Sequence, residues 1–144
     1  MVETISTNEI ERWLVSWVNA WESSPVRRNN YEFIGIAAGE ETGMALSMIQ
    51  SDHITRRYIL GGYQAVCQFK VIYRIKPGNS NDKRLAADEL LNAFGDWACS
   101  NPPDLGDGVH VLRVEPTTRS SKFAAYPDGY EDYQILMKLT YEVI

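Results

Sequence analysis

Cysteine and histidine are scarce in this 144-residue chain, with two of each. Cys67 and Cys99 are too few for a disulfide framework. Cys67 also falls on the apolar side of an alternating segment, where a small buried hydrophobe is expected. His53 and His110 stand alone, neither with a second histidine or cysteine at metal-ligand spacing. The sequence lacks G-x-x-x-x-G-K-[ST], G-x-G-x-x-G and G-x-S-x-G, so no cofactor is expected. Long hydrophobic runs are missing as well: none approaches the ~18 residues of a membrane helix. Residues 1–8 are polar and acidic, without the apolar core of a signal peptide. Folding in a reducing cytoplasm with no membrane partner is the expectation. Positive charge is also short, at a net −5, which argues against nucleic acid as the main partner. The doublets Arg27–Arg28 and Arg56–Arg57 read as solvated surface.

What is present is alternation. In Tyr63–Lys76 the odd positions are Tyr63, Ala65, Cys67, Phe69, Val71, Tyr73 and Ile75, separated mainly by Gln, Lys and Arg. In Tyr130–Ile144, Tyr133, Ile135, Met137, Leu139, Tyr141 and Val143 alternate with Gln134, Leu136, Lys138, Thr140, Glu142 and Ile144. Period two over this length marks strands with one buried face. Fourteen residues of strand reach roughly 46 Å, whereas a domain of this size has a radius of gyration of about 15 Å. Such strands must coil, carry a bulge or project as arms. The even-numbered face, with Val66, Ile72, Leu136 and Ile144 among polar residues, suggests a subunit interface.

Two helices complete the core. Ile10, Trp13, Leu14, Trp17, Val18 and Trp21 form one continuous stripe, stopped by Ser23-Ser24-Pro25. A second helix is predicted over Asp82–Cys99, capped by Ser80 or Asn81, with the stripe Ala86, Ala87, Leu90, Leu91, Phe94, Trp97 and Ala98. Strands are predicted at Tyr31–Ala38, Met44–Gln50, Ile54–Leu60 and Val109–Glu115. Gly61-Gly62 fits either a hairpin turn or a bulge in one long strand. The expected fold is α+β: an antiparallel sheet with long strands and both helices on one face, in the order α-β-β-β-α-β-β.

Two connections remain as candidate contact regions. The turn Gly39–Gly43 carries Glu40 and Glu41, which point apart and lack a third metal ligand. The Pro116–Gly129 connection is long and carries Arg119, Lys122, Phe123 and Tyr126. Its aromatics are expected either to meet a partner or to fold back on their own core. Asp104 and Asp107 lack the calcium-loop pattern. Neither histidine fits the H-x-x-x-D-G of an acyltransferase, because Ile54-Thr55-Arg56-Arg57 follow His53 and Val111-Leu112-Arg113-Val114 follow His110.

The chain resembles the minor capsid and tail-terminator proteins of long-tailed phages and prophages of Gram-positive bacteria. The resemblance rests on Gly61-Gly62-Tyr63 leading into Gln68-Phe69-Lys70-Val71-Ile72-Tyr73-Arg74, on the helix after Asn81-Asp82, and on Tyr130-Glu131-Asp132-Tyr133-Gln134-Ile135. It implies a single-domain virion structural protein rather than an enzyme. Such a protein forms a homo-oligomeric ring, a hexamer, that caps the tail tube protein and faces the head–tail connector protein. The sequence reading then nominates Glu40, Glu41, Arg119, Lys122, Phe123 and Tyr126 for ring or tube contacts. The competing expectations are a small acyltransferase or hydrolase using His110 or Cys99, and another tail-completion or neck protein.

Overall fold

The computed structural model describes residues 7–22, 30–31 and 43–144. Eight elements follow in order: α1 (Thr7–Asn19), β1 (Asn30–Tyr31), β2 (Gly43–Arg57), β3 (Tyr63–Ile75), α2 (Asn81–Ser100), β4 (Val109–Pro116), β5 (Ser121–Ala125) and β6 (Glu131–Val143). This is the expected α+β fold and order, with the short β5 added. The strands form one sheet in the order β1-β2-β3-β6-β4, and β5 also pairs with β6. All pairings are antiparallel except β1 with β2, which is parallel. Of the predicted strand Tyr31–Ala38, only Tyr31 lies within the described residues. Glu40 and Glu41 lie outside them.

The register explains why the two alternations cooperate. Ala65 pairs with Tyr141, Phe69 with Met137 and Val71 with Ile135, so odd positions meet odd positions. A one-residue slip would turn one apolar set to the opposite face. The odd face is covered by Ile10, Leu14, Trp17 and Val18 of α1, by Trp21 just after it, and by Ala87, Leu91, Phe94 and Ala98 of α2. The helices meet each other through aromatic edges. Phe94 lies 5.9 Å from Trp17, 5.3 Å from Trp21 and 5.9 Å from Trp97 between ring centres. Trp17 Nε1 satisfies itself by donating to Asn101 O at 2.6 Å.

Ser80 caps α2, its Oγ accepting from Lys83 N at 3.2 Å, as the sequence suggests. Gly95 lets the helix approach the sheet, since a Cβ there would stand 2.9 Å from Ile135 Cδ1. Ala86, expected on the buried stripe, is exposed instead. The stripe is narrower than its apolar composition implies.

Strand length is accommodated by position and by bulges. β3 and β6 are the central strands, each paired along both edges, so they are not projecting arms. Met44–Gln50 and Ile54–Leu60 are not separate strands. They form one strand, β2, ending at Arg57, with register shifts between Met48 and Gln50, Gln50 and His53, and Ile54 and Arg56. Each extra residue bends the strand and increases its twist. β4 uses the same device between Val111 and Arg113. The insertion leaves Leu112 outside at 48% exposure and returns Val114 to the core. Without it, Val111 and Val114 would face opposite sides.

One buried group is poorly served. Among the described residues, Thr140 Oγ1 has no hydrogen-bond partner although the residue is 1% exposed. A buried hydroxyl without a partner costs roughly 1–3 kcal/mol. Thr140→Val is therefore expected to raise unfolding free energy by about 1 kcal/mol, read as a higher urea midpoint at unchanged slope. A fall in midpoint would mean that the hydroxyl is satisfied in solution.

Candidate assembly surface

The sheet presents two distinctive ends. At one, β2 and β3 are joined by a tight turn over Tyr58–Gly62. Tyr58 N donates to Gly62 O at 3.1 Å, and Gly61 N donates to Tyr58 O at 3.3 Å. Gly61 and Gly62 take φ of 97° and 85°, a region that side chains rarely occupy. A Cβ on Gly62 would also stand 2.4 Å from Val143 O. The glycine pair is thus a hairpin turn pressed against the end of β6, and the register shifts of this strand pair lie further back, in β2.

The turn lifts Ile59 and Leu60 clear of the molecule, at 102% and 99% exposure. Leaving such side chains in water forgoes about 1.5–3 kcal/mol each relative to burial. Arg56 and Arg57 beside them are exposed too. The arm is braced by Tyr58 Oη donating to Glu142 Oε2 at 2.9 Å and Thr55 Oγ1 donating to Gln64 O at 3.2 Å. Sequence reasoning misses this tip because it places Ile59 and Leu60 in a strand. The available signal is the order arginine pair, apolar pair, glycine pair, which makes sense only once the glycines are a turn.

At the other end, the Pro116–Gly129 connection is not an open loop. Ser121–Ala125 forms β5 against β6, and Tyr126 N donates to Tyr130 O at 2.8 Å to close a second hairpin. Ser120 ties the preceding residues to α2, its N–H donating to Asn92 Oδ1 and its Oγ to Asp88 Oδ1, both at 2.9 Å. Phe123 is the extra residue of a bulge between Lys122 and Ala124, and Lys70 Nζ lies 5.1 Å from its ring centre. Arg74 stacks on Tyr126 at 5.0 Å, and Lys76 lies 5.3 Å from the Tyr130 ring.

Lys70 and Arg74 of β3, and Lys76 just beyond it, thus meet the aromatics of the hairpin across β6, on the face opposite the helices. Each contact is worth about 0.5–1 kcal/mol where exposed. Phe123 and Tyr126 do not fold back on the core: they lie over cations of their own sheet and keep about 40% of their surface exposed. Arg119 and Lys122 are exposed. Of the even-face apolar residues, Val66 and Ile72 are buried within this chain, each at 7% exposure, while Ile144 stays open at 65%.

Beneath the hairpin lies a polar network. Arg74 holds Asp132 through two bonds, Nε to Oδ1 at 2.6 Å and Nη2 to Oδ2 at 2.8 Å, and Tyr126 Oη donates to Oδ2 at 2.7 Å. Next to it, Arg84 Nη2 donates to Glu131 Oε2 at 3.0 Å and to Gly78 O at 2.7 Å, and Tyr133 Oη donates to Glu131 Oε1 at 3.1 Å. Burial and the Glu131 carboxylate push the Tyr133 hydroxyl up to about 12. Hydrogen bonds from Arg84 hold the Glu131 carboxyl below its ordinary value of 4.5.

Because folding lowers that pKa, the stabilisation from Glu131 is complete above about pH 4.5 and drains away as pH falls through the lowered value. Acid titration followed by circular dichroism should show stability declining below pH 4.5, with a smaller decline in Glu131→Gln. Identical acid profiles in the two proteins would remove Glu131 from the network's pH response.

The residues weighed for catalysis do not converge. His110 pairs with Glu142 on the face away from the helices, whereas Cys99 sits in the last turn of α2 on the helical side. Burial, Asp96 and Glu115 raise the Cys99 thiol pKa, the reverse of what an activated thiolate needs. Asp104 Oδ1 accepts from Gly106 N at 3.0 Å, a turn-building contact. Among the described residues, no three His, Cys, Asp or Glu side chains cluster as metal ligands. No helix among them is long and apolar enough to cross a membrane.

Neither a family model nor a curated protein matches this chain. Solved structures do share its fold. One, of a protein without a descriptive name, superposes with a TM-score of 0.53 at 19% identity, covering 98% of this chain and 97% of that one. The likeness extends over the whole length of both chains and concerns the fold alone.

Proposed function

We propose that this chain is a virion structural subunit of the tail-terminator type, made in the cytoplasm of a bacterial host. Copies join into a ring, a hexamer, that caps the tail tube of a long-tailed phage and offers its other face to the head connector. The observation that carries this reading is the β2–β3 hairpin tip, where Ile59 and Leu60 stand fully exposed on a braced arm. Exposed apolar side chains on a rigid support are what a protein–protein contact uses as anchors. The sequence resemblance to terminators, carried by three stretches of the chain, supplies the ring and its partners. Mechanism here is geometric: a heterologous contact repeated around an axis closes, and one ring face then matches the tube.

The test is tube elongation. Tail tube subunits polymerised with this protein present should stop at a limiting length, and tubes without it should keep growing. Equal length distributions with and without the protein would sink the terminator role. A gene position just upstream of the major tail protein gene would favour it over another neck protein.

A further inference from the structure

Resting on the ring reading above, we infer that the β2–β3 hairpin tip of one copy docks into the groove over the first turns of α2 on the next copy. That groove has a volume of about 440 Å³ and is lined by Asp82, Lys83, Leu85, Ala86 and Glu89. Leu85 is 59% exposed within it, an apolar side chain beside the charged Asp82, Lys83 and Glu89. The depression is shallow and open, and Leu85 and Ala86 give it an apolar floor for two aliphatic side chains such as Ile59 and Leu60.

Three observations select a second copy as the occupant. Apolar surface matches apolar surface, with Ile59 and Leu60 fully exposed on one side and Leu85 on the other. Charge also matches. The tip follows the exposed pair Arg56–Arg57, and the groove carries exposed Asp82 and Glu89 against a single cation, Lys83. Such complementarity steers encounter and fixes orientation. Position completes the argument. Arg84 binds the start of β6 at Glu131, so the groove sits at that end of the sheet. The tip sits at the other end, where Gly62 meets Val143. β6 separates them by up to roughly 40 Å of strand. A contact between two different patches at opposite ends is heterologous and propagates around a ring, whereas an isologous contact would stop at a dimer.

Sedimentation velocity of the full chain across the micromolar to millimolar range tests this contact. Ile59 and Leu60 lie in water, so Leu60→Asp leaves the fold intact, as its circular dichroism and thermal midpoint should show. Wild-type protein should associate beyond the dimer with rising concentration. Leu60→Asp should weaken each contact about thirtyfold, the loss typical of a buried anchor. Arg57→Glu and Glu89→Arg should each weaken it about tenfold, and the two together should recover most of the loss.

Association that is unchanged in Leu60→Asp, or reversed charges that fail to rescue each other, would overturn the contact while leaving the ring itself standing. Association that stops at a dimer would overturn it as well. A wild-type chain that stays monomeric throughout overturns the contact too, and tube elongation then decides the ring reading by itself.

Discussion

Replacing Phe94 by alanine is expected to cost about 3–5 kcal/mol of stability, the range for removing a large aromatic from a packed core. Phe94 is fully buried, and its ring touches Trp17 of α1 and Trp21 just beyond it edge-on while lying beside Trp97 of its own helix. It is the junction between the two helices. The lost side chain leaves a cavity bounded by rigid indoles, which cannot collapse as flexible Leu or Met side chains would. Urea denaturation followed by tryptophan fluorescence reads the effect directly, because three of the four indoles report on this cluster. A loss below about 1 kcal/mol would mean that the helices do not meet through Phe94.

Asp132→Ala is expected to cost about 3 kcal/mol, for an electrostatic reason. The Asp132 side chain is 2% exposed, and Arg74 grips both of its oxygens from a position 17% exposed. Removing one partner of a buried pair strands the other, typically at about 3–5 kcal/mol. The lower figure applies because the guanidinium keeps some access to water and retains the Tyr126 ring at 5.0 Å. The double variant Arg74→Met/Asp132→Leu should recover most of the loss, since well-packed apolar replacements of buried pairs are often neutral. A double variant as unstable as the sum of the singles would show that the two residues act independently. Thermal melts of the four proteins complete the cycle.

These two sites divide what is legible in the sequence from what is not. Phe94 lies on a stripe with a 3.6-residue period, and Phe69, Met137 and Ile135 beneath it lie on strands with period two. Each pattern states which side is buried, so the core and the helical layer are legible in the order of residues alone. The Arg74–Asp132 pair is not. It depends on the register of β3 against β6, and the Lys70–Phe123 and Arg74–Tyr126 contacts depend on the placement of β5 as well. Residues more than fifty positions apart carry no local signal of pairing.

Bulges are the other reason that pattern and structure differ. Val111 and Val114 break strict alternation, and only the extra residue at Leu112 reconciles them with one buried face. Three shifts hide the continuity of β2 in the same way. β5 reads as a loop in the sequence because Ser121–Ala125 is short, bulged and almost wholly exposed. For the contact residues, the nominations at Phe123 and Tyr126 lead to aromatics that serve their own chain's cations. Ile59 and Leu60 stand fully in water, yet their apolar character reads as the end of a buried strand.

The proposed ring, and the part of the exposed hairpin tip in it, are tested most directly by electron microscopy of tail tubes mixed with the purified protein. The expected result is a single ring of subunits on one end of each tube, absent when Leu60→Asp replaces the wild-type chain. Bare tube ends, or protein scattered along the tube walls, would contradict it.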